Sequence, residues 1–269
     1  MTLIPFLIVC PLTFLAGLVD SIAGGGGLIS LPAFLFAGLP MHTAIATNKL
    51  SSSVGTTVST ARYCKNGFFD RRIALPSIVL ALAGSTLGAR LVLLVDDTYL
   101  RWLLIAVLPI VAILVFLDKG DGHANPDFPA SRRMAISCIA ALVIGMYDGF
   151  YGPGTGTFLL LALTKCAHMD VRTASGNVKL INLSSNIAAL ATFLFSGAVN
   201  IALGLAGAAF CLVGHYMGSG LVMKNGNKIV KPIIIVVLVL LFLNIFEPVQ
   251  VGRYGGHSHQ VVIQLLHII

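Results

Sequence analysis

Residues 20–27 read Asp20-Ser21-Ile22-Ala23-Gly24-Gly25-Gly26-Gly27, and they close an uncharged run that occupies residues 3–19. Four consecutive glycines at the inner end of an apolar helix break it where a soluble protein would have reached water. The surrounding composition says that no water is there. Of 269 residues, 57% are hydrophobic and 10% charged, against about a quarter charged in soluble domains, and the mean hydropathy is +0.94. The chain belongs in a bilayer. The first run lacks a basic n-region and a cleavage site, and similar runs recur to the end, so it is expected to stay as a span. The net charge of +7 is spread thinly over loops, which argues for membrane orientation and against nucleic acid. Cys10, Cys64, Cys138, Cys166 and Cys211 form no CxxC pair and read as packing residues; no disulfide, metal site or cofactor is expected.

The glycine break occurs twice. A shift of about 130 residues lays Asp20, Gly24 and Gly26 on Asp148, Gly152 and Gly154, then Thr43-Ala44 on Thr173-Ala174, Lys49-Leu50 on Lys179-Leu180 and Gly67 on Gly197. Gly84, Gly88 and Phe116 fall on Gly214, Gly218 and Phe246. Each half therefore holds the same five elements. In the first half the pattern predicts helices at roughly 3–20, 27–39, 43–64, 72–95 and 98–117; in the second, at roughly 133–149, 156–167, 173–196, 200–222 and 231–248. The second element of each half is shorter than the roughly 20 residues that span hydrocarbon and reads as a half-helix.

Loop charge predicts that the halves are inverted. The loop with Lys65, Arg71 and Arg72 corresponds to the uncharged 196–200, and the acidic Asp96-Asp97 turn to the loop with Lys224 and Lys228, so equivalent loops fall on opposite sides. The expected fold is an all-α polytopic membrane protein with two inverted-topology repeats, each with a Gly-broken helix followed by a short half-helix and three further helices. Its divisions are a first transmembrane repeat at 1–117, a cytoplasmic linker at 118–132, a second repeat at 133–250 and a tail at 251–269, with both termini outside.

Unpaired backbone groups at membrane depth are tolerable only against protein or a watery cavity, and broken helices of this kind place half-helix N-termini near the midplane. Such a terminus offers free N–H groups and the positive end of a helix dipole, so Gly24, Gly25, Gly26 and Gly27, with Ser21, read as an anion cradle matched by Gly152, Gly154 and Thr155. The alternative is that the glycines serve close helix crossing. Asp20 and Asp148 repel an anion; they accept bonds from the glycine turn, pair with Lys49 or Lys179, or carry a coupling proton. Lys49 and Lys179, each inside an apolar helix, are the candidates for neutralising an oxyanion, with Thr47, Asn48, Asn177 and Asn182 as hydrogen-bond donors. Snorkelling of the lysines and helix-to-helix bonding of the amides are the competing readings. Gly84/Gly88 and Gly214/Gly218 are GxxxG pairs for packing within the chain or between protomers, which leaves a homodimer open. Arg90 is expected to snorkel outward; His215 reads as a backbone-satisfied histidine, with a proton relay as the alternative. His257 and His259 in the tail are weak metal candidates, and 260–269 a short interfacial helix.

The paired motifs Asp20-Ser-Ile-Ala-Gly-Gly-Gly-Gly-Leu with Ala46-Thr-Asn-Lys-Leu, and Asp148-Gly-Phe-Tyr-Gly-Pro-Gly-Thr-Gly with Lys179-Leu-Ile-Asn-Leu-Ser-Ser-Asn, resemble the sulfite exporter TauE/SafE family, in particular its YfcA-like branch. The resemblance runs from about residue 8 to the 228–232 region. It implies a multi-pass permease of the bacterial inner membrane for small anions such as sulfite or organosulfonates. Its motifs fall on Asp20, Gly24 to Gly27, Thr47, Asn48, Lys49, Asp148, Gly152, Gly154, Lys179 and Asn182; Pro153 stands opposite Gly25 and Gly149 opposite Ser21, so the half-sites are unequal. A secondary transporter working by alternating access is the leading expectation. A channel of the same architecture, a membrane scaffold and an intramembrane enzyme are the alternatives; no nucleophile or metal set favours the enzyme.

Overall fold

The computed structural model describes residues 3–100, 102–103, 106, 125 and 127–225. Within them the chain forms α1 (Ile4–Ala23), α2 (Gly27–Phe36), α3 (Met41–Lys65), α4 (Arg71–Val92), α5 (Ala130–Phe150), α6 (Thr155–Leu161, continued by a π-helical turn Ala162–Cys166), α7 (Val171–Phe195) and α8 (Ile201–Asn225). The fold is all-helical among the described residues. Most of the fifth element of the first half (98–117), the fifth element of the second (231–248), most of the linker (118–132) and the tail (251–269, with His257 and His259) lie outside them.

Helix ends follow the local chemistry. Asp70 caps α4 by accepting the Arg72 N–H at 2.9 Å, and Asp170 caps α7 through the Thr173 N–H at 3.0 Å. Asn200, at the position equivalent to Asp70, accepts the Leu203 N–H at 3.1 Å and starts α8. α1 outlasts the expected end at residue 20 by most of a turn, because Gly24, left-handed at φ +80°, sends its N–H back to the Asp20 carbonyl. Asp20 is therefore in the last turn of α1, aimed inward.

Among the described residues, five helices are long and apolar enough to cross a membrane: α1, α4, α5, α7 and α8. α2 and the α6 segment are too short to span, as the half-helix reading expects. α3 is long enough, but its face of Thr47, Asn48, Lys49, Ser51, Ser53, Thr56, Ser59 and Thr60 lowers its hydropathy; all eight are buried. Large apolar side chains, among them Leu7, Leu75, Val79, Ile139, Val143 and Phe195, point outward. Polar inside and greasy outside is the arrangement that lipid selects. With these spans, the protein is an all-α polytopic membrane protein.

The halves are packed by exchange. α1 lies along α8, and α5 along α4, so the first helix of each half rests on the fourth helix of the other. Gly84 and Gly88 sit against the backbone of Leu142, Met146 and Phe150, and Gly214 and Gly218 against that of Phe14 and Leu18. Both GxxxG pairs are thus used within the chain. α3 and α7 meet at the centre, where the Thr60 hydroxyl donates to the Lys179 carbonyl at 3.1 Å. Arg90 is exposed, as expected of a snorkelling cation.

Candidate functional site

The two glycine breaks meet. A Cβ on Gly24 would come within 2.6 Å of the Gly156 Cα, and one on Gly27 within 3.2 Å of the Pro153 Cα, so the breaks touch backbone to backbone. Only glycine permits this approach, and the left-handed Gly24 adds a second reason.

Beside the contact lies a polar cavity lined by Asp20, Gly24, Gly27, Asn48, Lys49, Ser52, Thr56, Asp148, Gly152, Thr155, Gly156, Asn182 and Asn186. About 310 Å³ of space lies between its walls and at its open mouth, with room at the centre for about one or two waters. Every main element at the core contributes: the end of α1, the start of α2, the middle of α3, the end of α5, the break before α6 and the middle of α7.

Two lysine–carboxylate pairs hold this region, and each joins one half to the other. Lys49 Nζ lies 2.8 Å from Asp148 Oδ1 and donates to Asn186 Oδ1 at 3.0 Å. Lys179 Nζ lies 3.0 Å from Asp20 Oδ2 and also donates to the Asp20 carbonyl. All four side chains are buried, so neither lysine snorkels. Each charge is matched locally, as burial demands.

The second carboxylate oxygens are held differently. Asp148 Oδ2 accepts from the Ser185 hydroxyl at 2.6 Å, and the Ser85 hydroxyl donates to the Ser185 carbonyl at 2.5 Å. Asp20 Oδ1 accepts the Gly26 N–H at 3.3 Å, while His215 Nε2 approaches Asp20 Oδ2 at 3.5 Å and His215 Nδ1 meets the Ser59 hydroxyl at 3.0 Å. His215 is thus satisfied by side chains of other helices, which corrects the expectation of a backbone partner. Asp20 takes up two of its expected roles, fastening the glycine turn and pairing with Lys179.

Several expected site residues are placed elsewhere. The Thr47 hydroxyl accepts the Asn200 N–H at 3.0 Å and fastens the loop before α8. Asn177 donates to the Thr173 carbonyl at 2.8 Å. Ser21 donates to the Leu18 carbonyl at 2.8 Å and faces α8. Gly25, Gly26 and Gly154 shape the breaks without lining the cavity, and the Gly26 amide is already taken by Asp20. Lys179 reaches the site through Asp20 and lines a second, smaller cavity with Ser21, Tyr63, Ser175 and Leu160 across the Gly24–Gly156 contact. Sequence reasoning sets Ser52 four residues after Asn48, and Asn186 on one face with Lys179 and Asn182, without counting either as a site residue, and it leaves out Thr56 and Gly156. The signal was there: Asn48, Ser52 and Thr56, like Asn182 and Asn186, recur every fourth residue and share one helix face.

The profile of the sulfite exporter TauE/SafE family matches residues 9–245, the whole of this arrangement. The chain belongs to that family. Among TauE/SafE relatives, the "Probable membrane transporter protein ORF9" of Sinorhizobium sp. is 35% identical over 90% of this chain and 92% of its own length. The "Probable membrane transporter protein YfcA" of Escherichia coli K12 is 32% identical over 92% and 89%, and a "Probable membrane transporter protein" of Haemophilus influenzae is 30% identical over 83% and 87%. No solved structure matches. As a TauE/SafE protein with five helices among the described residues long and apolar enough to span, the chain is a multi-pass bacterial membrane transporter and not an enzyme.

Proposed function

We propose that this transporter is a permease for small anions, sulfur oxyanions such as sulfite or organosulfonates, and that it works by alternating access between two inverted repeats, 1–117 and 133–250, joined by a cytoplasmic linker at 118–132. The observation that carries the reading is the buried cavity at the meeting of the two glycine breaks, with a lysine from one half beside it and amide side chains from both. Lys49 Nζ, the amides of Asn48, Asn182 and Asn186 and the Ser52 hydroxyl supply donors for oxygen atoms. The Thr56 hydroxyl is buried on the cavity wall with no hydrogen-bond partner among the described residues, an acceptor or donor awaiting a ligand. Gly152 lets a ligand approach: a Cβ there would stand 3.1 Å from Lys49 Nζ.

The centre of the cavity, with room for about one or two waters, is narrower than a hydrated ion, which favours a carrier over a channel. Movement of the halves about the Gly24–Gly156 contact would expose the site to one side and then the other. The family name and the pyramidal or tetrahedral oxygen array of sulfite and sulfonates fit the donor set. The test is a thermal-shift series on the purified protein with sulfite, methanesulfonate, sulfate and acetate, followed by uptake and counterflow in proteoliposomes. Saturable uptake with counterflow for a sulfur oxyanion supports the reading. Non-saturating flux without counterflow points to a channel, and a shift with acetate alone removes the sulfur assignment.

A further inference from the structure

Counting charge in the site leads beyond the choice of anion. Two ammonium groups face two carboxylates in a buried region, so the site is neutral while His215 is uncharged. An anion entering it would carry its charge into a low-dielectric space with no surplus cation to meet it. One added proton restores the balance.

The half-sites differ in where such a proton can go. Asp148 has Lys49 and the Ser185 hydroxyl, and a serine does not titrate near neutrality. Asp20 has Lys179 and the imidazole of His215, so a second protonatable group stands beside the carboxylate. The groups around His215 are Asp20 from α1, Ser59, Arg62 and Tyr63 from α3, Lys179 from α7 and Cys211 on its own helix. Arg62 is held away by the Tyr216 carbonyl and ring, and the Tyr63 hydroxyl donates to the Ser21 carbonyl at 3.5 Å. His215 is wedged against Gly55, where any side chain would strike its ring.

We propose that the protein carries a proton together with each anion, and that the Asp20–His215 pair is the proton's seat; the proposal rests on the anion-permease reading above. With Lys179 on Asp20, a further positive charge is opposed. An anion in the cavity stands beside Asp20, which lines its wall; its negative charge favours a proton on the Asp20–His215 pair, which titrates as a unit. Neither ligand is favoured alone, so each raises the affinity for the other by the same factor. The proton enters from the side on which the anion enters and leaves with it on the other.

The test uses the full-length protein in proteoliposomes with a trapped pH dye. The probes are sulfite and methanesulfonate; the second is the anion of a strong acid and carries no proton of its own. Wild type is expected to acidify the lumen with roughly one proton per methanesulfonate taken up, and an outside-acid gradient to raise accumulation about tenfold per pH unit. H215Q should lose both while keeping counterflow, which needs no net proton movement and reports a folded carrier. D20N, with Lys179 unpaired, should bind methanesulfonate with no dependence on pH. Wild-type uptake without acidification, or acidification by H215Q equal to wild type, overturns the coupling and leaves the permease intact. Absence of uptake and counterflow for both probes overturns the permease reading itself, and the coupling with it.

Discussion

Asp148 and Asp20 occupy equivalent places in the two halves, and each meets the other half's lysine. What surrounds them differs. Asp148 is finished by the Ser185 hydroxyl, with Asn182 and Asn186 on either side of that serine in α7 lining the cavity. Asp20 is finished by the Gly26 amide and a histidine. The two ion pairs match, and the side chains packed behind them differ: neutral donors stand beside one, a titratable neighbour beside the other.

The sharpest way to break this comparison is to remove one lysine at a time. K49Q leaves Asp148 buried with the Ser185 hydroxyl and should cost about 3–5 kcal/mol of stability and abolish uptake. K179Q leaves Asp20 its amide and imidazole, so its melting temperature in detergent should fall less than that of K49Q. Equal falls would mean that the surroundings make no difference. K49Q/D148N should regain most of the stability and none of the uptake.

Next come the glycines. G24A combines a left-handed backbone with a backbone collision and should lose roughly 2–4 kcal/mol. G25A, whose new Cβ would meet its nearest neighbour, the Leu28 side chain, at an ordinary 3.6 Å, should stay within about 0.5 kcal/mol. Thermal unfolding of the pair distinguishes a tight crossing from a merely glycine-rich loop. Smaller again, N186A removes an acceptor of Lys49 and a cavity donor and should weaken anion binding by about 10- to 100-fold, measured by titration of the thermal shift. The smallest effect is expected from T47V, which frees the Asn200 N–H but touches no cavity wall: about 1 kcal/mol of stability and unchanged anion affinity.

Much of the fold could be read from residues alone. The shift of about 130 residues placed both breaks, both lysines and both acids, and the eight described helices begin and end within a few residues of expectation. The partners could not be read. Exchange packing of α1 on α8 and α5 on α4 decides that Lys49 meets Asp148 and that His215 meets Asp20, and no local pattern encodes it. Adjacency in a motif also misled: Thr47 and Ser21 sit beside cavity residues in the chain, yet each successive residue turns about 100° around a helix, and both face neighbouring helices instead.

The polar face of α3 has a consequence for biogenesis. Asp148, the partner of Lys49, is synthesised about a hundred residues later, which at a ribosome's roughly 5–20 residues per second is a delay of roughly 5–20 s. Throughout that interval the nascent segment must carry an unneutralised ammonium and a row of hydroxyls, and it is the one long helix described here that falls short of the apolarity needed to partition unaided. The insertion machinery, or α1 and α2 already released, must shelter it until the C-terminal half arrives. An isolated N-terminal fragment is therefore expected to be cleared by membrane proteases, and to be rescued when the remaining fragment is co-expressed.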